Sequence, residues 1–239
     1  MRERLALALD LPGRAEILSA AESLAAEVGV LKLGLEAFVA AGPGLVGEVA
    51  SLGRPVFLDL KLHDIPNTVG RAAAAAVGTG AAILNCHAAG GTEMMREFAE
   101  KGREAAAKTG RGAPKLIAVT VLTSLDGPAL HAVGLKGSPD EVALRLAVLA
   151  RKAGLDGVVC SPAEIGSIRR ECGSDFFLVV PGVRPAGTTA GDQKRVATPA
   201  EALRAGADLL VVGRPILAAK DPVAAARAII AEMETAGRS

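Results

Sequence analysis

The sequence predicts an α/β protein built as a single (β/α)8 barrel of the TIM type, one domain over residues 1–239. Two observations carry this prediction and a third agrees with it. Eight short apolar runs recur along the chain, and amphipathic segments with explicit helix-start signals lie between them. Continuous apolar runs, as opposed to strict alternation, suit strands buried on both faces of a parallel sheet. Unbroken alternation of strand and helix, with no linker rich in Pro, Gly or Ser, favours closure over an open doubly wound sheet. The length of 239 residues is one that α/β barrels commonly occupy as one domain.

In chain order the strand candidates are LALAL (5–9), VLKL (30–33), PVFLDL (55–60), AAILNC (81–86), KLIAVTVL (115–122), GVVC (157–160), FFLVV (176–180) and DLLVVG (208–213). Helix starts are marked by SPDE (138–141), SPAE (161–164) and TPAE (198–201). Each offers Ser or Thr as N-cap, Pro at the first helical position and Glu at the third, a capping box with a proline start. Asp221 and Pro222 open a last helix in the same way, and the alanines at 72–76 read as a packed helix. Gly29, Gly154, Gly173 and Gly206 stand where helices must stop, so each is expected to adopt a left-handed cap.

Half the residues are hydrophobic and the formal net charge is +1, which gives ample core material. With no Trp or Tyr and five Phe, the chain lacks both the basic excess and the stacking platform of a nucleic-acid binder. Basic residues that matter should therefore act locally, on a small anion. Cys86, Cys160 and Cys172 form no CxxC pair and no even framework, which suggests core thiols in a reducing compartment. The opening MRERLALALD has too short an apolar run for a signal segment and ends at Asp10 and Pro12. No apolar run approaches the roughly 18 residues of a membrane span. A cytoplasmic protein is expected.

In such a barrel the chemistry sits where the strands end and the following loops converge. Asp10 ends the first run, Lys32 lies in the second, Asp59 and Lys61 end the third, and Asn85 and His87 flank the end of the fourth. Thr123 follows the fifth, Ser161 the sixth, Pro181 to Arg184 the seventh, and Gly213 with Arg214 the eighth. The densest cluster is DLKLHDIPNT, residues 59–68. Alternation along a strand puts Asp59 and Lys61 on one side, with Asp64 just beyond on the loop. Charges on a buried strand are costly unless paired, so Lys32 on the neighbouring strand is expected to complete a network of two lysines and two aspartates.

The loop PGVRPAGTTAGDQKR (181–195) contains Arg184, Gln193, Gly187 and Gly191, and VGRPI (212–216) sets Gly213 and Arg214 directly after strand eight. Loops after strands seven and eight are the common phosphate site of these barrels, and Arg presents forked donors that match phosphate oxygens. His63, His87 and His131 show no metal-ligand spacing, and His87 reads as a satisfied structural histidine. No GxSxG elbow or P-loop is found.

DLKLHDIPNT and PGVRPAGTTAGDQKR together resemble the orotidine 5'-phosphate decarboxylase family, with the likeness running from Asp10 to Arg214. The resemblance implies decarboxylation of orotidine 5'-phosphate to uridine 5'-phosphate, the last step of de novo UMP synthesis, with no metal and no cofactor. It implies Lys61 as proton donor, within a catalytic array of Lys32, Asp59, Lys61 and Asp64. Substrate contacts implied by motif position are Asp10 and Lys32 to the ribose hydroxyls and Thr123 to the pyrimidine, with Asp59 and Pro181 also at the substrate. Arg184, Gln193, Gly213 and Arg214 would hold the phosphate, with the 183–194 loop closing over it. Asp64, Ile65 and Thr68 would reach the active site of a second copy, making the working unit a homodimer. Two alternatives stay open. Phosphosugar barrels such as 3-keto-L-gulonate 6-phosphate decarboxylase or hexulose phosphate synthase share D-x-K-x-x-D but use a divalent metal, and a non-catalytic phosphate-ligand binder could use the same fold.

Overall fold

The computed structural model describes residues 1–110, 112–185 and 197–236. Among them, eight parallel strands form a closed barrel in sequence order, β1 to β8, with β8 paired back to β1. The strands are β1 (Leu5–Ala8), β2 (Val30–Gly34), β3 (Val56–Leu62), β4 (Ile83–His87), β5 (Lys115–Val119), β6 (Gly157–Val159), β7 (Phe177–Val180) and β8 (Leu209–Val212). All eight apolar runs are thus strands. The fifth is shorter than expected: after Val119 both the backbone N–H and the hydroxyl of Thr120 donate to the Val159 carbonyl.

Around the barrel lie α1 (Arg14–Leu24), α2 (Leu35–Ala41), α3 (Gly44–Ala50), α4 (Pro66–Gly78), α5 (Gly91–Thr109) and α6 (Gly127–Ala132). They are followed by α7 (Pro139–Lys152), α8 (Ile165–Cys172), α9 (Pro199–Ala205), α10 (Arg214–Leu217) and α11 (Pro222–Thr235). The start signals work locally. Ser138 and Glu141 exchange both capping-box bonds before α7, at 2.8 and 3.3 Å, and Thr198 and Glu201 do so before α9, at 2.9 and 3.3 Å. Asp221 accepts from the Ala224 N–H at the start of α11. The SPAE signal opens a 3-10 turn, Pro162–Glu164, that leads into α8.

Gly173 has a positive φ of 84° but an extended ψ of 173°, outside the expected left-handed cap, whereas Gly154 and Gly206 are left-handed, with φ of 82° and 111°. Gly29 is not, which corrects the expectation for it. A Cβ there would lie 2.4 Å from Glu3 Cα, so this glycine is needed for the close approach of the N-terminal turn and not for its backbone angle.

Alternate strand residues fill the barrel interior, among them Phe57, Ile83, Ile117, Val179 and Leu209, all buried. The other faces of the strands pack on the helices in a second, larger core. A fully buried aromatic such as Phe57 contributes about 3–5 kcal/mol when judged by truncation to Ala. The three cysteines are buried and unlinked, as expected of core thiols. No described helix is long and apolar enough to cross a membrane.

Candidate active site

At the carboxyl ends of the strands a cleft of about 420 Å³ opens. It is lined by Asp10, Lys32, Asp59, Lys61, Thr123, Pro181, Arg184, Gly213 and Arg214, so nine residues expected at the site from the sequence share one cavity. Its floor is apolar, with Phe57, Val119, Val159 and Val211 rising from the interior.

The charged residues form a chain across β1, β2 and β3. Lys32 Nζ lies 3.1 Å from Asp10 Oδ1 and 3.5 Å from Asp59 Oδ2, and Lys61 Nζ lies 2.7 Å from Asp59 Oδ1. Register explains the assembly: Lys32 pairs with Ala8 and Phe57 and Gly34 with Asp59, so Lys32 starts two residues below Asp10 and Asp59 and its long side chain reaches up between them. Gly34 also makes room, since a Cβ there would stand 3.1 Å from Lys32 Nζ and 3.2 Å from Asp10 Oδ1.

The side chain of Lys32 is 7% exposed and that of Asp59 12%, so neither charge is balanced by solvent. Burial pushes the Asp59 carboxyl up, but the charges of Lys32 and Lys61 and hydrogen bonds from Lys61 and Asn85 outweigh it and hold the group below the ordinary 3.8. Asp59 is therefore an anion shared by two ammonium groups.

Asn85, placed on the rim by the sequence but given no role there, donates from Nδ2 to Asp59 Oδ1 at 2.6 Å and accepts the Lys61 backbone N–H at 2.8 Å. The signal available was a lone amide in the otherwise apolar run of β4.

Asp64, Ile65 and Thr68 do not join the cleft of their own chain. All three are exposed, and Asp64 Oδ1 accepts the Ile65 N–H at 2.7 Å. Within one chain the array is therefore Asp10, Lys32, Asp59 and Lys61, and Asp64, expected at the cleft of a second copy, stands apart from it. Gln193 lies outside the described residues. The two described ends of its loop are joined by a bridge between Val183 and Ala197, where the Arg184 N–H donates to the Ala197 carbonyl.

His87 caps the turn after β4 by accepting the Ala89 N–H at 3.4 Å, and its ring stacks on His63 with centroids 5.4 Å apart. Burial, followed by the charges of His63 and Lys61, holds its imidazole below the ordinary 6.5.

A closed barrel with a lysine–aspartate chain, buried at Lys32 and Asp59, and two arginines around one carboxyl-end cleft defines the class: a (β/α)8-barrel enzyme suited to a small anionic substrate. The model of the Orotidine 5'-phosphate decarboxylase / HUMPS family matches residues 3–229, and the chain belongs to that family. It is 58% identical over 230 residues to the orotidine 5'-phosphate decarboxylase of Anaeromyxobacter dehalogenans, covering 96% of this chain and 97% of that protein. Against the enzyme of the same name from Moorella thermoacetica it is 56% identical, covering 98% and 93%. The crystal structure of orotidine 5'-phosphate decarboxylase from Lactobacillus acidophilus matches with a TM-score of 0.82 at 36% identity, over 96% of this chain and 98% of that one.

Proposed function

We propose that this chain decarboxylates orotidine 5'-phosphate to uridine 5'-phosphate in pyrimidine nucleotide synthesis, without metal or cofactor, with Lys61 as proton donor. The observation that carries the reading is the unbroken chain from Asp10 through Lys32 and Asp59 to Lys61, set in one cleft with Arg184 and Arg214.

The phosphate would sit on Arg184, Gln193, Gly213 and Arg214, the ribose hydroxyls on Asp10 and Lys32, and the pyrimidine against Thr123 and Pro181. The bond from C6 to the carboxylate then breaks heterolytically. CO2 departs, its electron pair stays on C6, and a proton from the Lys61 ammonium fills that position. The resulting amine regains its proton from solvent. A cation already fixed where negative charge develops needs no reorganisation as the bond breaks.

Asp64, Ile65 and Thr68 would serve the cleft of a second copy in a homodimer. Their exposure supports this, Ile65 being a large apolar side chain left 67% exposed. Repulsion between Asp64 and the substrate carboxylate is then a contributor of limited size. Two like charges about 4 Å apart at an effective dielectric near 20 cost about 4 kcal/mol, whereas enzymes typically supply about 8–23 kcal/mol. Stabilisation of the carbanion, backed by binding energy from the remote phosphate, must provide the larger part. A cytoplasmic location fits buried cysteines that form no disulfide.

The test is an absorbance and CO2-release assay on orotidine 5'-phosphate with and without EDTA. Turnover insensitive to the chelator is expected. No turnover refutes the reading, and turnover abolished by EDTA moves the chain to the metal-dependent phosphosugar barrels.

A further inference from the structure

Lys61 has φ of 53°, and among the described residues it is the one non-glycine with a positive value. Left-handed backbone is strained for a residue with a Cβ and persists where surrounding groups impose it. Here it accompanies a break in the ladder. Leu58 pairs with Leu84 and Leu62 with Cys86, so four steps along β3 face two along β4. Extra residues in a bulge lose their ladder partners and re-aim the side chains they carry.

The lost partner is replaced by a side chain. Asn85, 1% exposed, stands on β4 opposite the bulge, and its Oδ1 takes the Lys61 N–H at 2.8 Å. Its Nδ2 donates at 2.6 Å to Asp59 Oδ1, the oxygen that also receives Lys61 Nζ at 2.7 Å. The amide orientation follows from chemistry, because an ionised carboxylate only accepts and so must face the NH2. One buried amide therefore fixes the main chain of Lys61 and the carboxylate that holds its ammonium.

We infer that Asn85 is a positioning residue for the decarboxylation: its amide sets the β3 bulge and thereby the place of the Lys61 ammonium over the reacting carbon. The inference rests on the reading of Lys61 as proton donor. Asn85 is not among the residues that line the cleft, so it should act on the chemical step and leave nucleotide binding alone.

In N85A the Lys61 N–H loses its acceptor and the bulge is free to relax. A misplacement of about 1 Å at the reacting group costs roughly a hundredfold. The expected result is a kcat for orotidine 5'-phosphate reduced about a hundredfold, with the dissociation constant for uridine 5'-phosphate within about threefold of wild type. A kcat within about threefold of wild type overturns the inference, as does a parallel loss of kcat and product affinity, which would mark a scaffold role.

If N85A fails to fold, N85D decides. A protonated carboxyl repeats both bonds of the amide, whereas an ionised one repels Asp59, and burial beside a like charge favours protonation. The ratio of N85D to wild-type kcat should therefore rise as pH is lowered from about 8 to about 6; a ratio independent of pH overturns the proposal. Wild-type turnover is the control that separates the two claims. Without it the function fails, and with it a normal N85A refutes the role of Asn85 alone.

Discussion

The Lys61 ammonium stands 2.7 Å from Asp59 Oδ1, while the second oxygen of the same carboxylate is 3.5 Å from Lys32. One anion thus serves two cations, and Asp10, 3.1 Å from Lys32 on its other side, brings the array to two charges of each sign. On the proposed mechanism, Lys61→Ala removes both the fixed charge and the proton source. Preorganised charge is worth about 10²–10³ in rate and a positioned acid about 10²–10⁴, so turnover should fall at least about a thousandfold. Binding of uridine 5'-phosphate, measured by calorimetry, should stay within about tenfold, because phosphate and ribose contacts remain. Substantial residual decarboxylation would remove Lys61 from its role.

Arg214 opens α10 directly after β8, beside Gly213 in the wall of the cleft. A hydrogen bond to a charged group contributes about 1.5–3 kcal/mol, which corresponds to roughly ten- to hundredfold in affinity. Arg214→Ala should weaken uridine 5'-phosphate by that factor and leave uridine nearly unchanged. An equal loss for the two ligands would take Arg214 out of the phosphate site.

Local chemistry made the fold legible, and long-range pairing hid part of the site. Ser138, Thr198 and Asp221 announce their helices because a cap is decided within four residues. The same locality explains why α2 and α3, wedged between β2 and β3 without such signals, went unmarked. Simple alternation brought Asp59 and Lys61 together, but the structure reaches that result through a bulge and a left-handed Lys61. Neither can be read from DLKL, because the amide that imposes them lies on another strand, at Asn85. Asp64 is placed by the family likeness alone, which sends it to a second copy: spacing sets it near Lys61, while in its own chain the loop leaves it exposed.

His87 offers a pH test. Burial, with His63 and Lys61 nearby, depresses its folded pKa below 6.5, so the unfolded chain takes up a proton first as pH falls. Stability from this group is complete above about pH 6.5 and is lost progressively as pH drops through the depressed folded value. Urea midpoints between about pH 8 and pH 5 should decline for wild type and decline less for His87→Asn, which can still accept the Ala89 N–H. Identical slopes would show that other groups carry the acid sensitivity.

The opposite end of the barrel should govern stability without touching turnover. Arg169 on α8 donates to the carbonyls of Gly173, Ser174 and Phe176 at 3.0, 2.9 and 2.8 Å, and to Asp208 Oδ2 at 2.8 Å. That Asp208 oxygen also accepts the Leu178 N–H at 2.8 Å, so one guanidinium ties α8 to the entries of β7 and β8. Two strands earlier, Arg103 meets Asp156 at 3.2 Å and Asp156 accepts the Leu116 N–H at 2.7 Å, but that arginine side chain is 45% exposed against 19% for Arg169. Several part-buried bonds at about 1 kcal/mol each give a loss of about 3 kcal/mol for Arg169→Ala. Solvent screening limits Arg103→Ala to about 1 kcal/mol or less. Arg169→Lys should recover little, since an ammonium cannot span carbonyls and carboxylate as the planar fork does. Urea unfolding should rank the variants in that order while kcat/KM stays at the wild-type value below the transition. Equal losses at the two arginines, or a fall in kcat/KM in folded Arg169→Ala, would show that this end of the barrel is not separable from the catalytic rim.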